Sequence, residues 1–338
     1  MRPFTYERVD SATAAIAAFG AGAVGAASER QYLAGGTTLI DLMKLDVMRP
    51  QTVIDINALD RTALGRVETN DQGLRLGALA HMSEVADHPV IKRDYPMIAQ
   101  SLELAASPQI RNMATLGGNV LQRTRCPYFR DVSYAECNKR IPGSGCAALD
   151  GFNRSHAVLG VSDACIATYP GDFGQALIAL DAMVELRGRN GDRKLPFGAL
   201  HRPPGGNPEI ETALLPGEII TGFAIAAAPW LRRSLYLKIR DRQSYEFALA
   251  SAAIALDMGE NQIVQEVRIA LGGVASVPWR ARSAERALQG RRLNEQTARA
   301  AADTAFADAN PHEHNLFKVG LGKRTLVRAL LQAATMEL

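Results

Sequence analysis

The 338-residue chain contains no run approaching the roughly 18 uncharged apolar residues that a membrane-spanning helix requires, so no membrane insertion is expected. Its first residues, Met1-Arg2-Pro3-Phe4-Thr5-Tyr6-Glu7-Arg8, lack an apolar core and carry an acid early, and no export signal is legible in them. The expected compartment is the cytoplasm, or the periplasm by co-export with a signal-bearing partner. Charge of one sign is not concentrated anywhere: 38 basic and 35 acidic residues are interspersed, and no nucleic-acid footprint follows. Internal repeats and low-complexity tracts are missing, as is any Ser–His–Asp set or carboxylate pair for independent hydrolytic chemistry. Cysteine is scarce, with four in all, yet Cys126, Cys137, Cys146 and Cys165 fall within one 40-residue window. A chain of this size needs no disulfide staples. Clustered thiols therefore point to metal, and tetrahedral sulfur suits an iron–sulfur cluster and a structural zinc alike.

What is present suits a globular protein with two or three cores: 47% of residues are hydrophobic and 22% charged. Ser11 should cap a helix over 12–19. A strand at 31–34, a Gly35-Gly36 turn, a helix from Thr38 to about Leu45 and a strand at 52–56 make a small parallel α/β unit. A strand at 73–77, a helix opening near His81, a longer helix over 97–106 and another over 172–180 follow. Residues 182–187 and 193–195 read as a hairpin turning at Asn190-Gly191. A break at Ala226-Ala227-Ala228-Pro229-Trp230 separates an α+β tail, with strands at 250–258 and 263–271 and helices near 281–289, 295–309 and 322–336. The domains expected are 1–57, 58–226 with an insertion at about 121–168, and 230–338.

Gly20-Ala21-Gly22-Ala23-Val24-Gly25 matches the G-x-G-x-x-G dinucleotide pattern but follows a helix and precedes a strand, the reverse of what that motif needs. Two other glycine loops are better placed. In Leu33-Ala34-Gly35-Gly36-Thr37-Thr38-Leu39-Ile40, the glycines allow close backbone approach to a phosphate, and the threonines add donors. In Ser107-Pro108-Gln109-Ile110-Arg111-Asn112-Met113-Ala114-Thr115-Leu116-Gly117-Gly118-Asn119, Gly117-Gly118 repeats the device, flanked by Thr115 and Asn119. Either loop alone could be a tight turn; together they suit a pyrophosphate held from two sides.

The pair A-G-G-T-T-L and I-R-N-x-A-T-L-G-G-N resembles the FAD-binding subunits of the xanthine dehydrogenase and carbon monoxide dehydrogenase family of molybdenum hydroxylases, over nearly the whole chain. The resemblance implies an α+β fold: a two-part FAD domain of the vanillyl-alcohol-oxidase type and a small C-terminal α+β domain. It implies that Leu33, Ala34, Gly35, Gly36, Thr37, Thr38, Leu39 and Ile40 hold the pyrophosphate, with Thr115, Gly118 and Asn119 touching FAD from the second loop. Pro170-Gly171-Asp172 would make Asp172 an acceptor for FAD hydroxyls. Leu215-Pro216-Gly217-Glu218-Ile219-Ile220 would bring Ile220 to the flavin, and Tyr236-Leu237-Lys238-Ile239-Arg240 would place Lys238 by the isoalloxazine. Read without the family, Asp172 is a helix cap, Lys238 a solvated charge and Ile220 core.

The long insertion between Asn119 and Asp172 holds all four cysteines, with ten, eight and eighteen residues between successive ones. It resembles the subtype of bacterial aldehyde oxidoreductases and of the 4-hydroxybenzoyl-CoA reductase flavin subunit, which implies a [4Fe–4S] cluster on Cys126, Cys137, Cys146 and Cys165. Zinc stays open on the residues alone. Arg123, Arg125, Lys139 and Arg140 would offset the thiolate charge; His156 is a further candidate ligand, while His81, His88 and His201 are expected at the surface. His312-Glu313-His314 does not share one helix face. The implied role is an electron-transfer subunit of a heterotrimer, passing electrons to an external acceptor. A large molybdenum-cofactor subunit would oxidise an aldehyde, and a small [2Fe–2S] subunit would relay the electrons. The alternatives are an aromatic hydroxylase subunit, a stand-alone flavin reductase or oxidase, and a zinc-stapled assembly module.

Overall fold

The computed structural model describes residues 1–22 and 28–337 of an α+β chain with three sheets. The first is parallel, with Thr52–Asp55 between Thr5–Arg8 and Arg30–Leu33. Val53 and Ile54 bury the central strand. Helices Ala12–Phe19 and Leu39–Lys44 provide the crossovers. Ser11 Oγ accepts from the Ala14 amide at 3.2 Å, and the first helix ends at Gly20 with φ 68°. A helix thus precedes the Gly20-to-Gly25 pattern and a strand follows it, while Ala23, Val24 and Gly25 lie outside the described residues. Strand Thr5–Arg8 is an addition to the expected unit. All four of its residues are exposed, so no apolar alternation marked it; backbone pairing defines it, with the Tyr6 hydroxyl donating to Asp55 of the central strand.

The second sheet is antiparallel, in the order Val67–Asn70, Gly73–Gly77, Ile219–Ala226, Met183–Gly188, Gly191–Pro196. The expected hairpin forms, but its two-residue loop is Arg189-Asn190 and Gly191, at φ 98°, carries the positive angle. Against this sheet pack short helices, Met82–Asp87, Pro89–Asp94, Pro96–Glu103, Pro108–Met113 and Leu116–Val120. The helix expected over 97–106 is therefore shorter, closing at Glu103. Pro96 and Pro108 each sit in a first turn, Ala106 turns out at φ 49°, and Ser107 is extended before its proline.

The third sheet, also antiparallel, runs Trp279–Arg280, Val264–Gly272, Ala250–Met258, Ser234–Ile239. Helices Arg282–Leu288, Glu295–Ala305 and Phe317–Ala334 cover it. The last begins at Phe317 rather than near 322, although Gly320 and Gly322 weaken helix propensity. Gly322 is there for space: a Cβ would stand 2.3 Å from Phe306 Cζ. Between the second-loop helix Leu116–Val120 and helix Phe173–Ala179 runs the cysteine insertion. It is mostly irregular, with one short helix at Pro127–Arg130 and its own buried cluster.

Candidate functional site

The two glycine loops meet. A Cβ on Gly35 would lie 1.9 Å from the carbonyl oxygen of Met113, so the first loop is packed backbone-on-backbone against the second. Gly36 follows at φ 73°, a conformation that side chains disfavour, and turns the chain into helix Leu39–Lys44. In the second loop Thr115 Oγ1 accepts from the Gly118 amide at 3.2 Å and opens helix Leu116–Val120. A cavity of about 280 Å³ opens beside this junction. Its wall includes Ala34, Gly35, Gly36, Thr37, Thr38 and Leu39 from the first loop, and Thr115, Gly117 and Gly118 from the second. The Thr38 hydroxyl caps nothing in the helix it precedes, which leaves it for a ligand. The opposite side is residues 209–212, 214–215 and 217–220, ending at the buried Ile220.

Three of the expected contacts stand outside that wall. Leu33 sits behind it in the strand and Ile40 is 39% exposed. Asn119 donates from Nδ2 to Met82 Sδ at 3.3 Å, while its Oδ1 is buried without a partner. Asp172 and Lys238 also stand apart from it, and they bond to each other. Lys238 Nζ donates to Asp172 Oδ2 at 2.8 Å and to the Leu104 carbonyl at 3.0 Å, and Tyr236 Oη donates to Asp172 Oδ1 at 2.6 Å. Asp172 precedes its helix without capping it, and Lys238 is buried rather than solvated. Burial raises the Asp172 pKa, opposed by Lys238. The signal missing from the sequence was Tyr236, two residues before Lys238 on the same face of its strand.

Arg123 and Glu211 are two charged cavity residues among the several that sequence reasoning did not assign to the flavin site. Arg123 Nε donates to Glu211 Oε2 at 2.5 Å, Lys139 Nζ donates to Glu211 Oε1 at 2.7 Å, and the Arg123 guanidinium lies 4.6 Å over the Phe129 ring. Burial opposes the Glu211 charge, but Arg123 and Lys139 hold its pKa down at about 2. Both terminal nitrogens of Arg123 are buried without a partner. Five donors and one bonded nitrogen leave unused hydrogen-bonding capacity at the wall of the cavity. A smaller polar cavity of about 50 Å³ shares Leu121, Glu211 and Thr212 with the large one and continues to Tyr169 and His201. His201 is thus not at the surface: it packs 4.8 Å from the Tyr169 ring and 5.5 Å from Phe197, and burial lowers its pKa to about 4.

The four cysteines converge behind the first loop. Cys126, Cys137 and Cys165 are buried and Cys146 half-buried, packed with Leu42, Met43 and Met48 in and after the helix that follows Gly35-Gly36. Cys137 and Cys146 face each other in an antiparallel bridge, and Cys146 shares a hydrogen bond with Cys165. Cys126 feels the charge of both Cys137 and Cys146, and burial pushes its thiol up to about 12. The Ala167 amide donates to Cys165 Sγ at 3.4 Å, and His156 Nε2 stands 3.1 Å from Cys126 Sγ. Asp41 of helix Leu39–Lys44 accepts from Arg125 at 3.0 Å and Arg130 at 2.7 Å, tying the cysteine segment to that helix. Arg140 bonds instead to backbone carbonyls of its own loop. Among the described residues, no three His, Cys, Asp or Glu side chains close on a single metal ion.

Two outcomes follow from this geometry. Gly35→Ala drives a methyl into the Met113 carbonyl and should abolish binding of the FAD that the sequence resemblance implies, read by flavin absorbance of the purified protein after gel filtration. Asp172→Ala and Lys238→Met each strand a buried partner and should each cost about 3–5 kcal/mol in denaturant unfolding. The Asp172→Leu/Lys238→Met double variant should cost less than the sum of its single changes. Additive losses would show that the two side chains do not interact.

Comparison with known proteins agrees with this arrangement. Residues 2–227 match the FAD binding domain in molybdopterin dehydrogenase, and residues 235–334 match the CO dehydrogenase flavoprotein C-terminal domain. The aldehyde oxidoreductase FAD-binding subunit PaoB of Escherichia coli K12 is 47% identical over 98% of this chain and 99% of its own length. The glyceraldehyde dehydrogenase medium chain of Sulfolobus acidocaldarius is 26% identical over 82% of this chain and 80% of its own. A solved carbon monoxide dehydrogenase from Hydrogenophaga pseudoflava superposes with TM-score 0.73 at 26% identity, covering 99% of this chain and 98% of that one. With two glycine loops closing on one cavity inside the first family match, and the second match covering the C-terminal sheet and helices, the chain belongs to the FAD-binding subunits of the molybdenum hydroxylases.

Proposed function

We propose that this chain is the FAD- and [4Fe–4S]-binding electron-transfer subunit of a molybdenum-containing aldehyde oxidoreductase. It would work beside a large molybdenum-cofactor subunit and a small [2Fe–2S] subunit, delivering electrons to an external acceptor. The observation that carries the cluster half is the gathering of four thiols against the helix that leaves the first glycine loop. The substrate class rests on the PaoB relative, whose name states an aldehyde oxidoreductase FAD-binding subunit.

The residues present fit both groups. For FAD, the fit is the glycine-lined cavity with its hydroxyls and the partnerless nitrogens of Arg123. For the cluster, it is an all-thiol donor set with the Ala167 amide donating to Cys165 Sγ and with Arg123, Arg125, Arg130 and Lys139 in the surrounding ion pairs. FAD supplies the electron chemistry when bound; the chain binds and orients it. Gly35, Gly36 and Gly118 let the backbone approach the pyrophosphate, Thr37, Thr38 and Thr115 donate to it, and Ile220 covers the flavin. Arg123 adds a charge-assisted donor from the side nearest the cysteines. Asn119 shapes the second loop through Met82. Asp172 and Lys238 act as a fixed pair behind the smaller cavity, two residues along the chain from Pro170 in its wall.

Metal and flavin analysis of the purified complex tests the reading. It requires iron on this chain at about four per FAD, in addition to the iron of the small subunit. Zinc in place of iron would sink the cluster, and full activity of the isolated chain on an aldehyde would sink the subunit role. Arg123→Met should weaken FAD binding by about 10- to 100-fold, the range of a lost charged hydrogen bond. Wild-type affinity, measured by titrating FAD into deflavinated complex, would remove Arg123 from the site.

A further inference from the structure

Residues 153–158 form one wall of the cysteine pocket, and the C-terminal domain grips them from behind. The Asn310 amide donates to the Val158 carbonyl at 2.8 Å, Asn315 Nδ2 to the Ala157 carbonyl at 3.2 Å, and the His314 amide to Asn153 Oδ1 at 3.0 Å. Lys318 completes the grip. From the first turn of helix Phe317–Ala334, its Nζ donates to the Ser155 carbonyl at 3.0 Å and to the Gly273 carbonyl at 2.7 Å.

Lys318 is 1% exposed and has no carboxylate partner among the described residues. Burial, and after it the charge of Arg154, pushes the Lys318 ammonium down to about 7, and the positive end of an 18-residue helix opposes it further, so an anion nearby would hold its proton in place. Nearer the thiols, two carboxylates each serve two cations: Arg123 and Lys139 share Glu211, and Arg125 and Arg130 share Asp41.

His156 stands between. It is 1% exposed, its Nε2 lies 3.1 Å from Cys126 Sγ, its Nδ1 is buried without a partner, and it senses the charge of Lys318. A metal-bound thiolate offers only lone pairs, so in the loaded protein the Nε2 proton faces the sulfur and donates to it.

We propose that His156, by its hydrogen bond to Cys126, and Lys318, by its buried charge behind His156, raise the reduction potential of the cluster held by the four cysteines. This rests on the cluster reading above. A cluster on four thiolates is anionic, and the electron it accepts makes it more so. A hydrogen bond to sulfur and a nearby cation in a dry site both favour the reduced form. Neither residue is a ligand. Both are positioning residues, and Lys318 brings a domain remote in sequence into the tuning of the cysteine site.

The test is an EPR-monitored redox titration of the purified heterotrimer, with iron and flavin quantified in every variant. His156→Leu and Lys318→Met should each shift the cluster midpoint to more negative values at wild-type iron and FAD content. His156→Gln, which keeps an N–H donor, and Lys318→Arg, which keeps the charge, should return the midpoint toward wild type. An unchanged midpoint in iron-replete His156→Leu or Lys318→Met overturns the proposal, as does loss of iron from both apolar variants when the conservative pair keeps iron at a shifted midpoint. Absence of this chain's cluster signal from the wild-type complex would instead overturn the cluster reading, before any variant is compared.

Discussion

The site is built around a contact that admits no side chain. At Gly35 the main chain of the first loop passes so near the Met113 carbonyl that even a methyl group has no room. That approach holds the parallel sheet and the antiparallel sheet at a fixed separation, and the cavity is the space left beside their junction. The helix that leaves the loop is then committed in direction. Its outer face presents Asp41 to Arg125 and Arg130, and its apolar face presents Leu42 and Met43 to the cysteines. One backbone approach thereby sets the positions of two candidate cofactor sites.

Charge is arranged around those sites by shared carboxylates. Asp41 and Glu211 each serve two cations, and each pairing crosses between segments far apart in sequence. A carboxylate flanked by two cations is held ionised against the cost of burial, as the low pKa of Glu211 shows. Each such trio carries one positive charge over. A positive charge beside a cavity favours electron-rich states of whatever occupies it. Asp172 is the counter-case, one buried acid matched to one lysine and one tyrosine, with no charge to spare.

The parts legible in the sequence were those encoded locally. Glycine–threonine spacing announces a backbone approach, and residues 34–39 of the first loop and Ala114, Thr115, Gly117 and Gly118 of the second do line one cavity, with Leu33, Ile40 and Asn119 outside it. The small parallel unit and two strands of the tail sheet were legible from local patterning, while the class of the whole chain came with the family resemblance. Strand Thr5–Arg8 was not, because it is exposed throughout and is held by its pairing with the central strand and by Tyr6. The break at Glu103 was overlooked although Pro108 and the turn before it mark it. Arg123 could not be read as a cavity residue because its partner Glu211 lies 88 positions away. Asp172 looked like a cap for the same reason, since Lys238 is 66 positions distant. Pairings of that range belong to the fold.

The grip of residues 310–318 on residues 153–158 has a consequence for how the molecule is made. The contacts span more than 150 positions, so the cysteine wall stays open on one side while the chain is still on the ribosome. It closes only once helix Phe317–Ala334 has been synthesised and has docked on the third sheet. Contacts of such long range form late because the intervening chain must be ordered first. Completion of the cysteine pocket thus waits for a segment made more than 150 residues after its own wall.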